Sequence, residues 1–144
     1  MCNLFKKLYR EELDVTLIDP EDIKTAYKKA FKTTSSTDFH FGDEVYKPLN
    51  PETLKEFLQK SEIDKKEYIE DYRDCEDFSF MLFGEIRCDE RFDGCPIFIT
   101  WMNTPEGGHS VLSYFYSNKI YLIEPQDDSI SSVNPEYILW DLFG

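Results

Sequence analysis

The chain has 144 residues, enough for one compact domain and too few for two of ordinary size. Apolar residues at 41% and aromatics at 16% can fill a core, so the composition is that of a folded protein, not of a disordered segment. Sixteen Lys and Arg against 29 Asp and Glu leave a net charge of -13, which repels phosphate backbones and anionic lipids, argues against direct nucleic-acid or membrane binding, and favours a basic protein partner or a divalent metal.

Met1 to Lys7 has neither the apolar stretch nor the cleavage site of a signal peptide, and no apolar run is long enough to span a bilayer, so a cytoplasmic location is expected. Asp19-Pro20-Glu21-Asp22 reads as a helix start, with Asp19 as N-cap and Pro20 in the first helical position. Ile23, Ala26, Tyr27, Ala30 and Phe31 follow at helical spacing. The polar stretch 32–47 reads as a loop, and Asn50-Pro51-Glu52 opens a second helix carrying Leu54, Phe57 and Leu58. Residues 61–74 are densely charged and read as a third helix or as an ordered approach to the next element.

Asp74 precedes Asp77 by three residues, an acidic capping pattern, and Cys75, Phe78, Ser79, Met81, Leu82 and Ile86 continue at helical spacing. Cys75 therefore falls in the first turn of an apolar helix. After a loop from Arg87 to Pro96 the period changes: Ile97 to Met102 reads as a buried strand, Asn103 to Gly108 as a turn, and Val111–Tyr116 and Ile120–Ile123 as strands joined at Ser117-Asn118. Asn134-Pro135-Glu136 reads as the start of a short final helix carrying Tyr137, Ile138, Leu139 and Trp140.

A nucleophilic thiol needs a stabilised thiolate, a base within reach and a third group that orients the base. Cys75, His109 and Glu124 form one such set. The helix N-terminus lowers the Cys75 pKa, while Asp71, Asp74, Glu76 and Asp77 act against it, so a cation must compensate, either protonated His109 or a metal ion. If Ser117-Asn118 is a two-residue hairpin loop, Tyr116 faces Lys119, Val111 faces Glu124 and His109 faces Gln126. His109 and Glu124 then share one face as diagonal neighbours, about 7–8 Å apart at the backbone. Gly107-Gly108 would let this strand approach a helix end closely. His40, in a polar loop, ranks below His109. Cys2, Cys75, Cys88 and Cys95 contain no CxxC pair, and Cys88 and Cys95 read as ordinary thiols in preference to a zinc clip.

The run Tyr72-Arg73-Asp74-Cys75-Glu76-Asp77-Phe78-Ser79, followed by Gly108-His109-Ser110 and by Ile120-Tyr121-Leu122-Ile123-Glu124-Pro125-Gln126, resembles the papain-like protease domain of the Marasmius oreades agglutinin type and its small lectin-related bacterial and phage relatives. The resemblance covers residues 72–126. It implies a papain-like α+β domain and a cysteine peptidase with Cys75 as nucleophile, His109 as general base and Glu124 as the orienting residue. It also implies calcium dependence, with Glu76, Asp77 and Gln126 as candidate metal ligands; oxygen donors suit Ca²⁺, and a cation would relieve the acidic crowding. Glu76 stands where the pattern has Asp, and the sugar-binding trefoil of the agglutinin has no counterpart in this chain.

The expectation is one domain over 1–144, with a helical part at 1–70 and a papain-like catalytic core at 71–144, a cysteine-bearing helix on a small antiparallel sheet. The expected chemistry is hydrolysis of a peptide or isopeptide bond, with a peptide or protein as substrate. The oxyanion would be met by the Cys75 N–H and a second donor, with Tyr72 as a candidate. The same residue order also serves peptidoglycan endopeptidases, amidases and transglutaminase-like enzymes. The rival class is a non-catalytic acidic decoy that blocks a basic partner, as phage-encoded inhibitors do.

Overall fold

The structure, a computed structural model, describes residues 15–144. The Met1–Lys7 segment and Cys2 lie outside the described residues. Helix α1 (Pro20–Ala30) starts where the local chemistry dictates: Asp19 caps it by accepting the Glu21 N–H, Pro20 occupies its first turn, and Lys28 and Lys29 sit in its last. Helix α2 (Pro51–Leu58) repeats the device, with Asn50 accepting from the Glu52 and Thr53 N–H groups. Helix α3 (Cys75–Arg87) begins at the predicted residue.

Six strands form one sheet: β1 (Asp38–His40), β2 (Ile97–Thr104), β3 (Gly107–Tyr116), β4 (Lys119–Ile123), β5 (Ile130–Ser132) and β6 (Ile138–Phe143). Their spatial order is β1-β6-β2-β3-β4-β5, and every pairing is antiparallel except β1 with β6. Side-chain alternation along β3 divides the core between the two faces. Leu112 and Tyr114 pack with Leu54, Phe57, Phe78, Leu82 and Ile86 of α2 and α3. Val111 and Phe115 pack with Ile23, Ala26 and Tyr27 of α1. The architecture is α+β, helices on both faces of a mostly antiparallel sheet, with the cysteine helix on one face.

Three expectations are corrected and one alternative is decided. The stretch 32–47 contains β1, which pairs with β6, so the first 70 residues are not purely helical but contribute a strand to the sheet. Of the two readings of residues 61–74 the ordered approach holds, as turns with one Ile69–Arg73 bridge, and Asp71 takes φ 63, a left-handed conformation that breaks helical propagation. The expected turn Asn103–Gly108 is shorter: β2 and β3 pair out to Thr104–Gly107, leaving only Pro105 and Glu106 as the loop. The final helix is instead strand β6, because Asn134 closes a turn on Glu136 and Tyr137, and five of the next six residues pair with β2. Within β6 the register slips opposite Trp101/Met102, so Leu139 faces Met102 while Asp141 faces Trp101, and Trp140 is the extra residue of a bulge. The buried Leu139 and Leu142 are thereby three residues apart, a spacing that imitates a helix.

Candidate active site

The β3–β4 hairpin fixes the first pair. Ser117 and Asn118 take φ 49 and 59, the two left-handed residues of a tight hairpin turn whose twist suits the flanking strands. That turn places Tyr116 against Lys119 and carries the predicted register down to Leu112 against Ile123. One residue beyond the ladder stands Glu124, and its Oε2 lies 2.7 Å from Nε2 of His109. Both side chains are partly open, 29% and 26% exposed. A carboxylate only accepts, so Nε2 carries the shared proton and Nδ1 is the ring nitrogen left as acceptor. Gln126 does not stand opposite His109: the chain turns at 124–128, with the Asp127 and Asp128 N–H groups on the Glu124 carbonyl and the Gln126 N–H on Glu124 Oε1.

Helix α3 brings the sulfur to the same strand. A capping box forms at its start, with the Asp77 carboxylate accepting the Asp74 N–H at 3.2 Å. Two hydroxyls then clamp the first turn to β3. Ser79 Oγ donates to the Cys75 carbonyl at 2.9 Å, and Ser110 Oγ donates to Ser79 Oγ at 3.0 Å. Both serines are buried.

Cys75 is half-buried, which separates it from the buried Cys95 and the exposed Cys88. Burial is the main influence on its thiol and raises the pKa, with the Asp74 and Glu76 charges adding to the rise; the Ser110 and Glu76 N–H groups pull the other way. Acidic crowding therefore acts in the direction the sequence implied, but desolvation outweighs it. The Glu76 carboxyl is raised for the same combination, burial first and then Asp74 and Asp77.

The predicted metal ligands are only partly brought together. Ligand atoms of Asp74, Cys75 and Glu76 lie within 4.8 Å of one another, and Asp74 Oδ1 is buried without a hydrogen-bond partner. Asp77 is engaged in the capping box, and Gln126 lies in the turn after β4. Hard oxygens beside an orphaned carboxylate oxygen fit a cation such as Ca²⁺. Tyr72, the candidate second oxyanion donor, is 85% exposed. Cys95 points its sulfur at the Pro48 and Arg91 carbonyls, and Cys88 lies on the surface. His40 pairs with Asp141 at the β1–β6 edge, away from the thiol. Gly108 makes its close approach to the Trp140 ring instead of to a helix end.

Ser79 and Ser110 were not singled out in the sequence. Ser79 stands four residues after Cys75, one helical turn on, which is the spacing at which a hydroxyl can reach back to a carbonyl.

A helix that bears a cysteine at its tip, docked on an antiparallel sheet whose strand carries a histidine bonded to a carboxylate, belongs to the papain-like class of fold. Solved structures that share it include the following two. PSL1a, in its complex with E64, superposes with a TM-score of 0.77 at 12% identity, over 89% of this chain and 51% of that one. Polyporus squamosus lectin, bound to a human-type influenza-binding epitope, gives a TM-score of 0.66 at 13% identity, over 85% and 49%. At such identity the likeness establishes the fold, and the chain spans about half the length of these structures. No family model matches the sequence, and no curated protein matches it. No helix among the described residues is long and apolar enough to cross a membrane.

Proposed function

We propose that this protein is a papain-like cysteine hydrolase that cleaves a peptide or isopeptide bond with Cys75, His109 and Glu124. The observation that carries the reading is the 2.7 Å contact of His109 with Glu124 on the strand to which Ser79 and Ser110 clamp the first turn of the cysteine helix. The fold shared with PSL1a, a protein seen in complex with E64, supports it.

In this reading His109 Nδ1 takes the Cys75 proton and the sulfur attacks the substrate carbonyl carbon. The Cys75 N–H, at the open end of α3, meets the oxyanion. As the tetrahedral intermediate collapses, the C–N bond breaks and His109 returns the proton to the leaving amine. Water, deprotonated by the same imidazole, then splits the thioester and regenerates the thiol. Glu124 holds the ring and stabilises its protonated form.

Calcium dependence belongs to the same proposal. Glu76, Asp77 and Gln126, with Asp74, are the residues that would hold the ion. When bound it supplies positive charge that offsets the carboxylates beside the thiol. The test is hydrolysis of a peptide library by the native chain and by Cys75→Ala. Products from the native chain alone support the reading. Products from neither, or equally from both, refute it, and steeply salt-sensitive binding to a basic protein by both chains would favour an acidic decoy.

A further inference from the structure

The sheet is open along β5. Among the described residues no strand lies beyond it in the spatial order. The Glu124 N–H meets the Ser129 carbonyl at 2.9 Å, and the bonded pairs of an antiparallel ladder recur at every second residue. Leu122 with Ser131 is the next such pair, so Ile130 and Ser132 turn their N–H and C=O groups away from β4. Ser131 and Ser132 are exposed. Beside this edge a hollow opens on each face of the sheet. On the α2 face it measures about 540 Å³, runs along β5 and is lined by Tyr114, Tyr116 and Tyr121, with the Tyr114 and Tyr121 rings stacked 5.3 Å apart. Glu52 and Lys55, the charged residues along it, pair with each other at 3.0 Å. On the α1 face the hollow measures about 350 Å³ and lies between Lys29 of α1 and the strand edge. Lys29 and Lys119 are the charged residues that line it, and no ion pair among the described residues involves either.

We propose that the β5 edge binds an extended polypeptide segment as an added antiparallel strand, one whose side chains alternate between aromatic and acidic. The site uses none of the groups assigned to the thiol chemistry and does not depend on that reading. Main-chain bonds to Ile130 and Ser132 hold the segment, and the alternation of its side chains decides which segment fits. Ile130 packs with the core of the α2 face, so residues opposite Ile130 and Ser132 point to that face, where the tyrosine rings take an aromatic side chain. The residues between them point to the α1 face, where the lysines take a carboxylate. The net charge of -13 opposes an acidic segment only at long range, because salt at 0.15 M screens charges beyond about 8 Å, whereas the lysines act at contact.

A fluorescein-labelled, end-capped peptide of alternating Phe and Glu tests this by anisotropy in 0.15 M salt, on the full chain carrying Cys75→Ala so that no thiol reaction consumes the probe. It should bind saturably. Replacing every Glu of the peptide by Lys should weaken binding by about tenfold or more, and Lys29→Glu in the protein should shrink that difference. Methylation of the peptide's own amide nitrogens reads the register. In an antiparallel pairing the residues opposite Ile130 and Ser132 are the ones whose N–H groups face β5, so methylation at every Phe should abolish binding and methylation at every Glu should leave it. No saturable binding, equal binding of the Glu and Lys peptides, or a Phe-methylated peptide that binds as well as or better than the Glu-methylated one overturns the site. Sedimentation tests the other occupant of an open edge, a second copy of this chain. A dimer that Ser132→Pro converts to monomer, by removing an outward N–H, would overturn the peptide site as well.

Discussion

Replacing Ser79 by alanine removes the middle of the clamp that joins the cysteine helix to β3. The Ser79 hydroxyl donates to the Cys75 carbonyl at 2.9 Å and accepts from Ser110 at 3.0 Å, and both serines are at most 1% exposed. Two net hydrogen bonds at about 0.5–1.5 kcal/mol each are lost, and the Ser110 hydroxyl is left buried without an acceptor, a further cost of about 1–3 kcal/mol. The expected destabilisation is about 2–6 kcal/mol. Ser110→Ala leaves Ser79 bonded to Cys75 and should cost only about 1 kcal/mol. The double variant has no orphaned hydroxyl and should be more stable than Ser79→Ala alone, so the two substitutions are strongly non-additive. Urea unfolding of the four proteins gives the cycle. Additive losses, or a larger loss for Ser110→Ala than for Ser79→Ala, would refute the clamp.

Glu124→Gln keeps the side-chain shape but removes the charge that faces His109, so peptide hydrolysis should fall on the order of 10²–10⁴-fold while the urea midpoint moves little; unchanged turnover would remove Glu124 from the machinery. Asp128 is pushed up to about 6, by burial first and then by Asp64, Asp127 and Glu85. Its folded pKa lies above the ordinary carboxyl value of 3.8, so the folded state binds the proton more tightly and stability should fall as pH rises from about 4 through about 6. Asp128→Asn should flatten that slope and raise Tm at pH 7, and melting curves at pH 4 to 7 that are identical for the two chains would contradict it. Calcium should raise the Tm of the native chain and should do so less for Glu76→Gln, because an ion bound only by the folded state stabilises it by mass action; equal shifts would place the ion elsewhere.

Much of this architecture is written in short-range chemistry. Asp19-Pro20, Asn50-Pro51 and Asp74 with Asp77 each start a helix within one turn, so α1, α2 and α3 begin where their residues indicate. The pairing of His109 with Glu124 was legible for the same reason, since a two-residue turn at Ser117-Asn118 fixes the register of everything that follows. What escaped depends on distant partners. Strand β1 is three residues long and exists only because β6 lies beside it. In β6 the bulge at Trp140 spaces Leu139 and Leu142 like a helix, so its true period is hidden. Gln126 left its expected place because the ladder ends at Ile123 and Glu124 gathers the next N–H groups into a turn. The second half of the serine clamp could not be seen before α3 was docked on β3.

Hydrolysis by this chain requires that Cys75 react as a thiol served by His109. Incubation with E64 at neutral pH, followed by peptide mapping, should find a single adduct on Cys75, with Cys2, Cys88 and Cys95 untouched, and the adduct should be lost in His109→Ala. A chain that takes no adduct on Cys75, or takes it as fast without the imidazole, would contradict the assignment.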